Sequence, residues 1–151
     1  MGEKYNILMV DDEVSVLNSL YFILHNEEEY ELFSVKSAEE MFKFLDECEN
    51  EKIPDIILLD IIMPGMNGFE AAEILSTDDR YKDINIIFIT GLTDASSELK
   101  GYSLGAKDYI YKPFNDSHLR RRIHIQKELS KLTRDLNNVK EKNRLSSEGA
   151  S

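Results

Sequence analysis

Residues 54–68 read PDIILLDIIMPGMNG, an apolar run that ends on one carboxylate and passes into a turn. Residues 56–59 show no alternation and include two β-branched side chains, which predicts a strand buried on both faces. Such strands belong to parallel sheets, whose reactive crevice lies beyond the carboxyl ends of the strands, and Asp60 is expected there. Pro, Asn and Gly in residues 61–68 predict a loop that leaves the Asp60 carboxylate open. The alternative is an Asp that only hydrogen-bonds a turn.

The rest of the chain alternates between short apolar runs and helical patterns. The apolar runs at 5–10, 30–35, 84–89 and 109–111 predict four further strands. Helices are predicted to begin near Val14, at a Ser37–Glu40 capping box, near Phe69, at Asp94 and after Asn115, and Gly105 is the expected C-terminal cap of the fourth. Five strands separated by helices predict an α/β fold with a doubly wound parallel sheet.

Composition and charge exclude several classes of protein. With 151 residues and 42% hydrophobic content, the chain suffices for one domain and leaves no room for a second catalytic domain. Residues 1–116 carry 9 Lys+Arg against 25 Asp+Glu, whereas residues 117–151 carry 9 against 4. An acidic body argues against nucleic acid as a ligand. Without a signal pattern or an apolar run near the roughly 18 residues that span a bilayer, we expect a soluble, cytoplasmic protein with no membrane partner.

Polar residues follow the predicted strands at the edge where the carboxyl ends of parallel strands meet. They are Asp11 and Asp12 after the first strand, Asp60 after the third, Thr90 after the fourth and Lys112 after the fifth. Three neighbouring carboxylates repel one another unless a cation holds them, and hard oxygen ligands suit Mg²⁺. Carboxylates are nucleophiles in phosphoryl transfer, and an ammonium neutralises phosphoryl oxygens. The edge therefore predicts an Mg²⁺-assisted phosphoryl site.

Four motifs in this order resemble the receiver domain of two-component response regulators, the CheY-like family, over residues 4–126. They are DD at 11–12, D-x-x-M-P-x-x-N-G at 60–68, T-G at 90–91 and Y-I-Y-K-P-F at 109–114. The resemblance implies a flavodoxin-like (βα)5 fold in which Asp60 accepts a phosphoryl group from a histidine kinase or a phosphotransfer protein. It also implies a phosphoacceptor that assists its own phosphorylation and dephosphorylation, and so not a turnover enzyme.

The resemblance also implies roles for individual residues. Asp12 and Asp60 would ligate Mg²⁺ directly with the backbone carbonyl of Ile62, while Asp11 would act largely through a water. Thr90 and Lys112 would bind the phosphoryl group, and the Lys112–Pro113 bond is expected to be cis. Tyr109 would be the switch aromatic, whose ring enters space vacated when the phosphoryl group draws Thr90 inward; the alternative is an ordinary strand aromatic.

Two apolar side chains are expected to flank the phosphoryl group, Ile62 two residues after the acceptor and Leu92 two residues after the threonine. Neither side chain can orient a hydrolytic water. We therefore predict a long-lived phosphoryl group, since water exclusion and the lack of a polar partner both slow hydrolysis.

Residues 117–151 carry a heptad pattern. The apolar positions 125, 129, 132, 136 and 139 step by four and three, and Asn143 falls at the next core position. We predict a receiver over 1–126, a continuous coiled-coil helix over 127–145 that forms a homodimer, and a disordered tail over 146–151. The helix resembles connectors that precede output domains such as diguanylate cyclases or phosphodiesterases, so we expect a longer natural protein. The alternative is a frayed amphipathic linker.

Two other functions stay open at this stage. A phosphatase of the haloacid dehalogenase type also uses an aspartyl nucleophile and Mg²⁺, but it requires a second acid two residues later, where this chain has Ile62. A pseudo-receiver would bind partners without accepting phosphate, although it has no evident need for the full set of polar residues. The single cysteine, Cys48, is expected to be inert. His25 is expected to close a helix, and His118 and His124 lack metal-ligand companions.

Overall fold

The computed structural model describes residues 3–149, in which five β-strands and five α-helices alternate. The strands are β1 (Tyr5–Val10), β2 (Tyr30–Val35), β3 (Ile56–Leu59), β4 (Asn85–Thr90) and β5 (Asp108–Tyr111). The helices are α1 (Val14–Leu24), α2 (Ala38–Glu47), α3 (Gly68–Thr77), α4 (Ala95–Ser103) and α5 (Asp116–Gly149), and a short 3₁₀ helix spans Asn50–Lys52. The Lys112–Pro113 bond is cis, as expected.

The strands form one sheet in the order β2-β1-β3-β4-β5, and every pair is parallel. This is the flavodoxin-like arrangement, so the predicted fold class is confirmed. All residues of β1 and β3 are buried, because these strands have neighbours on both sides and helices cover the sheet. The apolar run before Asp60 was therefore read correctly as a central strand.

Helix caps fix where the chain turns back towards the sheet. The Ser37 hydroxyl accepts a hydrogen bond from the Glu40 N–H at 3.0 Å, but the Glu40 carboxylate accepts from the Lys36 N–H, so the predicted capping box is only half formed. A complete capping box instead opens α3, where Asn67 and Glu70 cap each other. Gly105 follows α4 with a φ of +94°, as predicted for a C-terminal glycine.

The chain divides into two compact units at Asp116 and Ser117, and the second unit consists of α5. Helix α5 has 34 residues, a length of about 51 Å. The helix is unbroken past residue 126, so the predicted division there has no structural break. It also covers residues 146–149, which lie within the disordered tail predicted over 146–151. Residues 150 and 151 lie outside the described residues.

None of the helices within residues 3–149 combines the length and the apolar character that crossing a membrane requires.

Candidate functional site

The register of the sheet brings the predicted polar residues to one edge. Val10 pairs with Leu59, so Asp11 and Asp60 directly follow the last residue pair of these neighbouring strands. The Asp60 N–H still donates to the Val10 carbonyl at 3.0 Å, which extends the hydrogen-bond ladder of the sheet to Asp60. On the other side of β3, Thr90 is the last residue of β4 and pairs with Tyr111, which directly precedes Lys112. The edge therefore carries carboxylates, a hydroxyl and an amine, as predicted.

Three carboxylates form the acidic part of the site. Oxygen atoms of Asp11, Asp12 and Asp60 lie within 4.8 Å of one another. Asp11 and Asp60 are buried, whereas Asp12 is exposed. This set of hard oxygen donors, with one side open to water, fits Mg²⁺, which prefers carboxylates and retains waters. The Asp11 Oδ1 atom also accepts the Glu13 N–H at 2.9 Å, which fixes the carboxylate at the start of α1.

Lys112 joins the two buried carboxylates. Its Nζ atom lies 2.7 Å from Asp11 Oδ2 and 3.1 Å from Asp60 Oδ2, and only 16% of its side chain is exposed. Glu13, which is exposed, lies 3.5 Å from the same atom. Because the ammonium is buried among acids, it compensates their negative charge. Lys112 therefore lies beside Asp60, and its contact with Asp11 is the shorter of the two.

Burial and the neighbouring charges disfavour the ionised form of the Asp60 carboxyl group. Burial raises the pKa of Asp60 above its ordinary value, the Asp11 carboxylate raises it further, and Lys112 offsets only part of the shift. Burial lowers the pKa of Lys112, but its hydrogen bond to Asp11 and the charges of both acids outweigh burial and raise the pKa. The cluster therefore favours a bound cation in addition to Lys112.

The loop after β3 contributes a hydrogen bond to the Asp60 carboxylate. The Ile62 N–H donates to Asp60 Oδ1 at 3.4 Å, and the Gly68 N–H donates to the Ile61 carbonyl at 2.8 Å. Gly65 has a φ of +78°, which explains the glycine at this point of the turn. The Ile62 side chain is 59% exposed, so it shields the site less than the sequence analysis expected.

The β4 end of the site is linked to Tyr109 on β5. Thr90 is fully buried, and its Oγ1 accepts the Leu92 N–H at 3.3 Å. The Tyr109 hydroxyl donates to the Leu92 carbonyl at 2.8 Å, and its ring is buried against Phe88 and Tyr111. Burial, together with nearby acids, raises the pKa of Tyr109 to about 12. Tyr109 is therefore connected to the loop that follows Thr90, and its switching role stays a prediction.

Comparison with known proteins identifies the family. Residues 7–124 match the family described as the response regulator receiver domain. This chain belongs to that family. The receiver is 36% identical over 121 residues to the transcriptional regulatory protein YvrH of Bacillus subtilis, a match that covers 80% of this chain and 48% of YvrH. It is 32% identical to the phosphate regulon transcriptional regulatory protein PhoB of Klebsiella pneumoniae, covering 78% and 49%. This receiver spans about half the length of these curated relatives.

Solved receiver structures have the same fold. The BeF3-activated DrrB receiver domain superposes with a TM-score of 0.72 at 26% identity, covering 83% of this chain and 98% of that one. A CheY-like response regulator receiver from Methanospirillum hungatei gives a TM-score of 0.76 at 26% identity, covering 87% and 99%. The resemblance stated from the four motifs is thereby confirmed at the level of the family and the fold.

Two contacts of the receiver were missed from the sequence. Glu13 directly follows the acidic pair Asp11 and Asp12, and its contact with Lys112 could have been suspected from its place at a strand end. Glu39 on α2 accepts the Met66 N–H at 3.3 Å and so ties α2 to the loop after Asp60. No pattern in the sequence signals this second contact, because the two residues are 27 positions apart.

Gly68, the first residue of α3, has no room for a side chain. A Cβ atom there would lie 2.3 Å from the Asp60 carbonyl oxygen and 2.8 Å from the Ile61 Cα, so the backbone of the acceptor has to shift. We expect Gly68→Ala to lower the free energy of unfolding by about 2 kcal/mol or more, as overpacking does. The measurement is urea unfolding.

Gly91→Ala is the matched control, because a Cβ atom at Gly91 meets no atom within 4 Å. It is expected to leave unfolding near that of the wild type. Equal stabilities for the two alanine variants would contradict the steric account of Gly68.

Proposed function

We propose that this receiver accepts a phosphoryl group on Asp60 from a histidine kinase or a phosphotransfer protein, in an Mg²⁺-dependent reaction. The observation that carries the proposal is the Lys112 ammonium held 3.1 Å from Asp60 within a cluster of three carboxylates. A buried acid beside an ammonium and two further acids matches the needs of phosphoryl transfer onto oxygen. The family of the chain supports the same role.

Residues of this chain supply the nucleophile, the positive charge and the hydrogen bonds that orient the reacting groups. An oxygen of Asp60 forms the new bond to phosphorus while the bond from phosphorus to the donor imidazole nitrogen breaks, and the electron pair of that bond stays on the imidazole. The product on Asp60 is an acyl phosphate. Lys112 would neutralise the negative charge that develops on the phosphoryl oxygens, and the Thr90 hydroxyl would donate a hydrogen bond to them. The hydrogen bond from the Ile62 N–H orients the Asp60 carboxylate.

A metal ion would be held by the same edge. Asp12 and Asp60 would bind Mg²⁺ directly, with the backbone carbonyl of Ile62 as a further ligand and Asp11 acting largely through water. When bound, the ion neutralises charge between the carboxylates and the incoming phosphoryl group. The proximity of the three carboxylates supports this assignment.

Intact-mass measurement after incubation with Mg²⁺ and acetyl phosphate tests the proposal. One added phosphoryl group that is absent from Asp60→Asn, and absent when EDTA replaces Mg²⁺, is the expected result. If no label appears while Mg²⁺ still binds, the phosphoacceptor role is wrong and the pseudo-receiver alternative is favoured.

The phosphoryl group is expected to be long-lived. Neither Ile62 nor the partly buried Leu92 offers a polar group to a hydrolytic water. Because Ile62 is 59% exposed, the prediction rests on this missing partner more than on water exclusion. After removal of the donor we expect decay over minutes or longer, and Ile62→Asn is expected to accelerate it roughly tenfold by orienting a water.

Ile62→Val is the control for the decay measurement, since it keeps the position apolar and is expected to decay like the wild type. A decay half-life of seconds in the wild-type protein would contradict the prediction.

We further propose that the signal leaves through α5, towards an output domain or a separate partner. The curated relatives PhoB and YvrH are transcriptional regulators by name, and this chain matches about half of each. Apolar residues along the exposed length of α5 support a homodimer formed through this helix. Nucleic acid is an unsuitable ligand for the acidic residues 1–116.

A further inference from the structure

An apolar row along α5 lies exposed. Its five residues, Ile125, Leu129, Leu132, Leu136 and Val139, are between 42% and 64% exposed. They alternate in steps of four and three, which places them at heptad positions d, a, d, a and d on one side of an unbroken helix. A helix seam of this kind is stable in water only when another helix covers it.

We propose that a second copy of this chain covers the seam, and that the two α5 helices form a parallel coiled coil in register over residues 125–146. This inference rests on the homodimer proposed above and specifies its geometry. Two observations select the parallel arrangement: the charges that flank the seam and the position of Asn143.

The flanking charges are complementary in the parallel register. There, each g residue approaches the e residue five positions further along the other helix. Asp135 thus meets Lys140 of the second copy, and the twofold axis produces this pair twice. The remaining pairs combine a charged with a neutral residue and bring no like charges together: Arg121 with Gln126, Glu128 with Thr133, and Lys142 with Ser147.

Asn143 occupies the a position that follows Val139. In the parallel register it faces Asn143 of the second copy, so the two amides can hydrogen-bond each other, and such a layer specifies register and oligomeric state. The antiparallel register that keeps all five apolar residues in the core places Asn143 opposite Ile125, where the amide has no polar partner in the layer.

The antiparallel register also brings Asp135 beside Asp135 of the second copy. The antiparallel register also pairs Glu128 with Lys142, which is favourable. This gain is opposed by the repulsion between the two Asp135 side chains and by the asparagine without a polar partner. The parallel register has two attractive pairs and no conflict among the flanking charges. The described residues of α5 therefore favour two helices that run in the same direction.

Cysteine cross-linking distinguishes the two geometries. In a Cys48→Ser background, Leu132→Cys and Leu136→Cys are oxidised separately and as a mixture, and Arg134→Cys, on the opposite side of the helix, is the matched control. In the parallel register each core variant forms a covalent dimer by itself, while the control does so far more slowly. In the antiparallel register position 132 faces position 136, so only the mixture cross-links efficiently, and that result would overturn the inference.

Sizing of the same samples separates the failure of the inference from the failure of the homodimer. A monomer at all concentrations, with no cross-linking at any position, would refute the homodimer itself, whereas a dimer that cross-links only as the mixture refutes only the parallel register. Labelling of Asp60 in each variant shows that residues 1–116 are folded.

The charge pair has its own test. Asp135→Lys and Lys140→Asp are each expected to weaken dimerisation roughly tenfold, because each places like charges opposite one another twice. The double variant is expected to restore the wild-type affinity. A double variant as weak as the single ones would contradict the pairing of these residues.

Discussion

Asp60→Asn is expected to abolish phosphoryl labelling and, at the same time, to stabilise the Mg²⁺-free protein. Labelling is lost because the amide is not a nucleophile for phosphorus. Stability rises because the ionised carboxylate is buried beside Asp11, and burial and this neighbour raise its pKa more than Lys112 lowers it. We expect a gain on the order of 1 kcal/mol in the free energy of unfolding at neutral pH, measured by urea unfolding in EDTA.

The pH dependence of this gain has a defined sign. A carboxyl group with a raised pKa in the folded state binds its proton more tightly there than in the unfolded state. Its favourable contribution is complete below the unfolded pKa and is lost as the pH rises through the folded one. The advantage of Asp60→Asn over the wild type should therefore be small in acid and grow as the pH increases through the raised pKa of Asp60.

Asp12→Asn is the control, because Asp12 belongs to the same cluster but is exposed. It is expected to weaken Mg²⁺ binding with little change in Mg²⁺-free stability. An Asp60→Asn protein that unfolds at lower urea concentration than the wild type would contradict the electrostatic account of the site.

Lys112→Gln is expected to act in the opposite direction on stability. It removes the ammonium that lies 2.7 Å from Asp11 and 3.1 Å from Asp60, leaving two buried carboxylates uncompensated. We expect a loss of about 3 kcal/mol without Mg²⁺, much of it recovered on adding Mg²⁺, since the ion binds the same acids. Phosphorylation should slow by roughly a hundredfold or more, because the phosphoryl oxygens lose a charge partner.

Lys82→Gln is the matched control, because it removes a lysine from an exposed ion pair. Its partner Asp79 lies 3.3 Å away with a side chain that is 98% exposed, so this pair contributes at most about 1 kcal/mol. Urea unfolding with and without Mg²⁺ distinguishes the two lysines. If Lys112→Gln and Lys82→Gln lose equal stability, the buried ion pair does not stabilise the cluster.

The fold was predictable because its determinants are local. Residues 56–59 are apolar without alternation, which specifies a central parallel strand, and helical periodicity before and after it specifies the crossovers. The edge that gathers Asp11, Asp60, Thr90 and Lys112 then follows from the topology of a parallel sheet alone. The cluster could be located from the sequence for the same reason.

Contacts between residues far apart in the sequence could not be predicted as well. The hydrogen bond between Glu39 and Met66 joins residues on two elements, and neither residue type specifies it. Helix caps were only partly predictable, because Asn67 is equally suited to a turn and to a helix N-terminus. The exposure of Ile62 depends on the path of the whole loop after Asp60, which no local pattern encodes.

The place of Asp60 in the ladder has a consequence for backbone motion. Its N–H donates to the Val10 carbonyl at the end of the central strand, whereas the next N–H along the chain that donates to a backbone carbonyl is that of Gly68. Amide hydrogen exchange should therefore be slow up to Asp60 and faster in the residues between it and α3, where the N–H groups of Ile62 and Met66 donate to side-chain oxygens. Asp60 therefore lies between the hydrogen-bonded sheet and a loop with fewer backbone hydrogen bonds. Its phosphorylation can move this loop while the sheet keeps its geometry.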